Sequence, residues 1–378
     1  MRILHLGKFY SPIEGGIESI NRFVVESMKG NIQRIISFNN SGMTVEDDVD
    51  SVPVIRTSSQ GIVASQPLSL KYFSELRRNI RMFHPDVIHF HYPNPLGAFY
   101  LLRAIRKENK LIVHWHSDVV AQRFLHRFIS PIERRLLKRA DAIIATSPNY
   151  VEASKNLTAN KSKVSIIPCS IDEDRFKISD DDETKILAIK NKFGSVPIVF
   201  FIGRHVEYKG IKYLLEAEKH VKSKCAFVIA GQGPLTDELK QQYTSPRIHW
   251  VGRLSEEQMN LYYHAASIFA FPSITRNEAF GVVLAESMYC GCPAVTFTIP
   301  GSGVNWVSVN GVTGIEVPNK DVTAYASAID ELLTDNILRE MMSESAKNRV
   351  KQLFVKNSVK NLYINLYKNL KPCPISSK

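Results

Sequence analysis

Short, almost wholly apolar runs alternate with segments of helical length along this chain. From the N-terminus the runs are RILHLG, IQRIISF, PVIRT, DVIHFHY, LIVHWHS, DAIIATS and VSIIPC. Helices are expected between them at 17–29, 68–83, 95–107 and 121–138. Near-continuous apolar strands belong to parallel sheets covered by helices on both faces. Right-handed crossovers wind such a sheet into a doubly wound, Rossmann-like α/β domain. A polar stretch at 178–192 interrupts the pattern, which then restarts with IVFFIGR, AFVIAG, RIHWVG, SIFAFPS and PAVTF. Helices fall at 210–220, 234–242, 255–265 and 281–290, so a second domain of the same class is expected. The division is 1–172, 173–355 and a C-terminal helix with polar tail at 356–378. Further helices are expected at 321–334, 336–354 and 357–370.

The most informative stretch is 271–293, FPSITRNEAFGVVLAESMYCGCP. A strand turns through a polar loop and enters a helix at Ala279-Phe280-Gly281. Glu278 stands just before that helix and Glu286 lies within it. The first N–H groups of a helix lack partners and carry the positive end of its dipole, so they suit a phosphate. A neighbouring carboxylate accepts hydrogen bonds from sugar hydroxyls. Together these point to a nucleotide-diphosphate-sugar site. In GRHVEYKG, which follows IVFFI, Gly203 opens a strand-to-helix turn that Arg204 and Lys209 flank. Two cations at the C-terminal edge of a parallel sheet suit the charge that grows on a leaving diphosphate. AGQGP, with Gly231, is a weaker glycine signal in the next loop.

The first domain offers two further constellations. GKFYSPIEGGI follows the first strand, and Gly15-Gly16 at its helix start permit close backbone approach to a ligand. The loop is not G-x-G-x-x-G, so a dinucleotide dehydrogenase lacks its fingerprint. Side chains alternate along a strand, so His89 and His91 share one face of theirs, as do His114 and His116. Zinc ligation needs convergence and a second shell, and the sequence displays neither. Core positions are expected for most of these histidines, with His116, followed by Ser117-Asp118, best placed to reach a ligand.

Composition narrows the classes. The 378 residues suit two domains, and 44% hydrophobic residues support packed cores. No apolar run reaches the ~18 residues of a membrane span, and the N-terminal run is too short for a signal peptide. A cytoplasmic protein is expected. Five cysteines without a C-x-x-C read as reduced, with Cys290 and Cys292 buried. The formal charge is +11. Residues 71–139 hold 14 lysines and arginines against 5 acids. Arg77, Arg78 and Arg81 share one expected helix. Arg123, Arg127, Arg134, Arg135, Lys138 and Arg139 fall on another, interleaved with Phe124, Leu125, Phe128, Ile129, Leu136 and Leu137. Such a helix either lies on an anionic membrane surface or is a solvated face over a core. No nucleic-acid-binding signature is present. The D-x-D candidates, Asp48-Val49-Asp50, Asp172-Glu173-Asp174 and Asp180-Asp181-Asp182, lie in polar connecting stretches, so no catalytic metal and no cofactor are expected.

Gly15-Gly16, His116 in HWHSD, IPCSIDEDRF, GRHVEYKG, AGQGP, VGRLSEEQM and the E-x7-E of NEAFGVVLAE occur in this order. Together they resemble the retaining glycosyltransferases of family 4, which have the GT-B fold. The resemblance implies two Rossmann-like domains facing across a cleft. The first would bind acceptor and the second the nucleotide sugar, with the C-terminal helix crossing back to the first. It implies that Glu278 contacts donor-sugar hydroxyls and Glu286 the ribose. The amides of Phe280, Gly281 and Val282 would hold the donor, with Gly15, Gly16, Gly203 and Gly231 in its binding loops. Arg204 and Lys209 would neutralise the diphosphate, and His116 would lie near the reacting carbon. Transfer would retain configuration without a metal.

Where the family usually has Asn-Gly, this chain has Cys169-Ser170, a change expected to alter the turn between domains. TRNEAFG and PGSGVNWV resemble bacterial polysaccharide mannosyltransferases, which makes GDP-mannose the first choice of donor and a UDP-sugar the second. The acceptor would be a lipid-linked O-antigen or capsule intermediate, met at the cytoplasmic face of the inner membrane by the basic region 71–139. A nucleotide-sugar epimerase on the same scaffold and a non-enzymic sugar-binding protein are the competing readings.

Overall fold

The computed structural model describes residues 1–13, 15–63, 66–118 and 123–370. It divides into two compact units. One comprises Met1–Thr146, Val151–Ile167 and the chain from Lys360 onward; the other comprises Ser147–Tyr150 and Pro168–Val359. The C-terminal helix Lys356–Asn369 therefore begins in the second unit and ends in the first.

In the first unit the strands are β1 (Arg2–Leu6), β2 (Ile32–Phe38), β3 (Val45–Val49), β4 (Val52–Thr57), β5 (Ile62–Val63), β6 (Gln66–Pro67), β7 (Val87–Tyr92), β8 (Lys110–Trp115), β9 (Ala142–Ala145) and β10 (Val164–Ile166). Eight of them form one sheet in the order β10-β9-β8-β7-β1-β2-β4-β3. All its pairings are parallel except β3 with β4. The sequence reading missed β3 because VEDDV has no apolar alternation. Its acidic, exposed residues blunt a sheet edge that would otherwise invite pairing with another chain. β5 and β6 make a separate small hairpin.

The second unit carries β11 (Ile198–Ile202), β12 (Ala226–Ala230), β13 (Ile248–Gly252), β14 (Ile268–Phe271), β15 (Ala294–Phe297) and β16 (Gly314–Val317). Their order is β13-β12-β11-β14-β15-β16, all parallel. The chain winds outward from β11 to β13, then crosses to the other side of β11 for β14. Loops after β11 and β14 thus run to opposite faces and leave a crevice at the strands' C-terminal ends. The first sheet reverses in the same way between β1 and β7. Both sheets are buried throughout their central strands, from Ile3, Ile35 and Phe90 in one to Val199, Phe200 and Phe269 in the other.

The polar stretch at 178–192 is a helix, Asp180–Lys192. Ser179 and Asp182 form its capping box, with Ser179 N donating to Asp182 Oδ2 at 3.0 Å, and acids and lysines sit at opposite ends, as the helix dipole favours. Only Ile186 of this helix is buried, so it lacks the apolar stripe by which a helix is read. Of the D-x-D candidates, Asp180-Asp181-Asp182 is therefore the first turn of this helix, not a connecting stretch. Asp48 lies on β3, and Asp174 lies in the short 3-10 turn Glu173–Phe176. Asp172 and Asp174 pair with Lys356 and Lys177 at 2.7 and 2.6 Å. Among the described residues no helix is long and apolar enough to cross a membrane.

Candidate active site

The second sheet's reversal point holds the densest chemistry. After β11 the chain runs through Gly203-Arg204-His205 into the turn Glu207–Lys209 and reaches Gly210. Gly210 has φ 63°, and a side chain there would collide with the carbonyl of Pro272. Glycine thus lets this loop lie directly on the end of β14, where Ile274 N donates to Tyr208 O at 3.0 Å. The contact delivers Lys209 Nζ onto the Glu278 carboxylate as a hydrogen-bonded ion pair, each side chain 12% exposed. Ser273 Oγ donates to the same oxygen at 3.3 Å, and Lys209 Nζ lies 5.3 Å from the Phe271 ring centre. The Glu278 backbone is fixed as well: its N–H donates to Thr275 O at 3.1 Å, and Ser302 Oγ donates to its carbonyl. Two residues read from separate motifs form one unit.

Beside them, Gly231 has φ 105°, and a Cβ there would overlap the Gly203 carbonyl. The loops after β11 and β12 can therefore nest, with Gly231 N donating to Gly252 O at 2.7 Å and His205 N to Gln232 O at 3.2 Å. His205 is fully buried and clamps the same loops through Thr236 Oγ1 at 2.9 Å and Ala230 O at 3.3 Å. Gly203, Arg204, Gly231, Gln232, Gly233, Pro234 and Arg253 line an open cavity of about 440 Å³. Arg204 and Arg253 are both exposed there. Sequence reasoning missed Arg253, although VGR after β13 repeats the IGR after β11. Only the sheet order shows that both strand ends reach the same cavity.

The helix Val282–Tyr289 starts at Gly281, its N-cap, with φ 89°. Phe280 is buried against Phe354 and Trp306, with ring centres 5.3 and 6.3 Å away. This packing anchors a helix end whose first N–H groups have no intrahelical acceptor. Glu286 is buried and accepts a hydrogen bond from Tyr263 OH at 3.1 Å. Burial pushes its carboxyl above the usual range, opposed by the charge of Arg175 and by the Tyr263 hydrogen bond. Cys169, at the family's Asn position, is buried. Its thiol is pushed up to about 12, first by burial and then by the charge of Glu278. The described cysteines Cys169, Cys225, Cys290 and Cys292 are all buried and free.

The remaining candidates belong to the first unit. Gly15 caps the helix Gly16–Ser27, its carbonyl accepting from Ser19 N at 2.9 Å, and the Glu18 carboxylate folds back against it. Glu14 lies outside the described residues. His116 is buried and meets His91 Nδ1 through Nε2 at 2.9 Å; burial lowers its pKa to about 3. The Asp118 carboxylate accepts from Trp115 Nε1 at 3.0 Å and Ser154 Oγ at 2.9 Å.

In the basic helix Arg123–Arg139, Arg127, Arg134, Arg135 and Lys138 are exposed, together with Phe128. Arg139 is half-buried and structural, paired with Asp141 at 3.1 Å and donating to the carbonyls of Arg106 and Asn109. Ala121, which opens the expected helix, lies outside the described residues, as do the side chains of Arg123, Phe124 and Leu125.

Two parallel-sheet Rossmann-like units with these strand-end sites define the GT-B class of α/β proteins. Two family models match: glycosyltransferase family 4 over residues 32–175, and glycosyl transferases group 1 over residues 182–349. The chain is 29% identical to an O-antigen chain mannosyltransferase C of Escherichia coli, covering 98% of this chain and 99% of that one. It is 30% identical to a D-rhamnosyltransferase of Pseudomonas aeruginosa, covering 94% and 92%. Among solved structures it superposes on sucrose-phosphate synthase of Thermosynechococcus elongatus with TM-score 0.77 at 21% identity, over 98% of both chains. An Anabaena protein solved with UDP gives 0.77 at 19%, over 98% of this chain and all of that one. The chain belongs to the family 4 glycosyltransferases.

Proposed function

We propose that this glycosyltransferase moves a hexose from a nucleotide-diphosphate sugar, with mannose from GDP-mannose as first choice, to a lipid-linked glycan in O-antigen or capsule assembly. Similarity over nearly the full length to the E. coli mannosyltransferase supports the donor and the pathway class. The single observation that carries the chemistry is the Lys209–Glu278 pair at the reversal point of the second sheet, beside the cavity that Arg204 and Arg253 share.

Each charge of that pair neutralises the other. A donor separates their tasks: the Glu278 carboxylate accepts from sugar hydroxyls, and Lys209 turns to the diphosphate with Arg204. The bond from the sugar's anomeric carbon to the diphosphate oxygen breaks. The acceptor hydroxyl oxygen bonds to the same face of that carbon, and its proton passes to the departing diphosphate. Negative charge grows on the leaving group, so the cations and the Val282–Tyr289 helix end bind the transition state more strongly than the ground state. The amides of Phe280, Gly281 and Val282 and the glycines Gly15, Gly16, Gly203 and Gly231 hold the donor in this reading. Glu286 takes the ribose, and His116 serves the reacting sugar.

No divalent ion is assigned to the diphosphate. Among the D-x-D triplets, Asp182 is held in a capping box, and Asp50, Asp172 and Asp174 pair with Arg22, Lys356 and Lys177. The enzyme acts at the cytoplasmic face of the inner membrane through its basic region.

A thermal-shift screen against GDP-mannose and UDP-, ADP- and TDP-sugars tests the donor. Ligand at 100 times its Kd adds ~2.7 kcal/mol of stability. A shift with GDP-mannose alone is expected. A shift confined to UDP-sugars replaces GDP-mannose by the second donor class. Conversion of a donor into its epimer without acceptor would overturn transfer in favour of an epimerase.

A further inference from the structure

Five histidines line one face of the first sheet. The register sets His5 of β1 opposite His89 of β7, and His91 of β7 opposite His114 of β8. His116 follows at the end of β8. All five are buried. Their rings form a continuous column: His5–His89 centroids are 5.8 Å apart, His89–His91 4.7 Å, His91–His114 5.1 Å and His114–His116 4.1 Å. The C-terminal helix covers this column, with Tyr367 OH 2.6 Å from His89 Nδ1 and Tyr363 beside His114.

An apolar residue would fill each of these positions more cheaply than an imidazole. Four ring nitrogens, His5 Nδ1, His91 Nε2, His114 Nε2 and His116 Nδ1, are buried without a hydrogen-bond partner. Unpaired buried nitrogens are destabilising unless something occupies them. Two of the four belong to residues whose ring nitrogens converge: one ligating atom each from His89, His91 and His114 lies within 4.8 Å of the others.

From this convergence we infer that His89, His91 and His114 form a buried binding site for one borderline transition-metal ion, with zinc the leading choice. Three imidazoles are a ligand set that suits zinc, copper and nickel. The non-ligating nitrogens of two of the three have partners. His91 Nδ1 meets His116 Nε2 at 2.9 Å, which orients the ring and leaves Nε2 free. His89 Nδ1 meets the Tyr367 hydroxyl, the kind of second-shell partner that fixes a ligating imidazole. His114 Nε2 is free, and the 3.4 Å contact between His114 Nδ1 and His89 Nε2 is weak enough to yield to an ion. Tetrahedral zinc holds its nitrogen ligands about 3.3 Å apart, so the rings must close around the ion. Because the site is sealed, the ion enters during folding, not by diffusion into the finished sheet. Its ligands belong to the first unit and Lys209 and Glu278 to the second, and the inference does not rest on the transferase reading.

The test uses untagged full-length protein from cells grown with added zinc, and with copper and nickel in parallel arms. The expected result is about one metal per chain by elemental analysis, retained on dialysis against metal-free buffer. His91→Gln and His114→Gln should each lose it, while Tyr367→Phe should keep the stoichiometry with roughly 10–100-fold weaker affinity in chelator competition. X-ray absorption of the wild type should show three imidazole nitrogens at about 2.0–2.1 Å, a readout that survives if the variants do not fold. Metal-free wild-type protein in all three arms, a shell dominated by oxygen, or unchanged metal in folded His91→Gln and His114→Gln would each overturn the inference.

Discussion

Glu278 and Lys209 show what a single contact adds to a motif. In the chain they are 69 residues apart; in the fold they share one hydrogen bond inside a largely buried pair. In the proposed function Glu278→Ala removes the acceptor for the sugar and frees the Lys209 ammonium, so turnover should fall by orders of magnitude in a folded variant. Arg204→Ala should cost about 2–4 kcal/mol of barrier, roughly 30- to 1000-fold in kcat/KM. Lys209→Ala and Glu278→Ala break the same interaction, so the double variant should lose less than the sum of the two. Steady-state transfer rates check all three, and near-normal turnover of Glu278→Ala would sink the site assignment. Both residues were legible because E-x7-E and GRHVEYKG sit at a helix start and a strand end. Arg253 was not, because no local pattern says that β13 lies one strand away from β11, across β12.

Elements were most legible where burial was complete. All five expected strands of the second unit are present; β11, β12 and β14 are apolar and buried along their whole length, while β13, with His249, is only partly buried. The Asp180–Lys192 helix escaped because its stability comes from a capping box and end charges, not from an apolar face. The basic helix Arg123–Arg139 illustrates the reverse error of counting charges by sequence. Arg139 is consumed by Asp141 and backbone carbonyls, and on the neighbouring basic helix Arg78 pairs with Glu46 and Glu75. What remains outward is Arg127, Arg134, Arg135 and Lys138 around Phe128, whose side chain is 65% exposed. Vesicles with anionic lipid should bind the protein at low salt and release it near 1 M salt, where screening shortens to ~3 Å. Arg134→Glu with Arg135→Glu should abolish the binding in a sedimentation assay. Absence of binding at low salt would leave this helix a solvated face.

For the molecule as a whole, the histidine column sets an acid limit on stability. Burial lowers His5 to about 4 and His116 to about 3, with the other three also depressed. In the unfolded chain each protonates near 6.5. Between those values the unfolded chain binds more protons, so stability is full above pH 6.5 and falls as the pH drops below it. Each histidine removes up to about 1.4 kcal/mol per pH step in that window. The urea midpoint should therefore fall markedly between pH 7.5 and pH 5. A flat profile would contradict neutral buried imidazoles.

The sequence alone determined two parallel-sheet halves, because continuous apolar strands between helices admit few other arrangements, and it picked out the residues of the candidate donor site, because those chemistries cluster at strand ends. Only the tertiary structure decided which of them meet. The order β13-β12-β11-β14 brings Lys209 to Glu278 and Arg253 to Arg204, and the register of β1, β7 and β8 gathers five histidines that the chain spreads over 112 positions. Strand order and register are set by long-range packing, which no local pattern encodes.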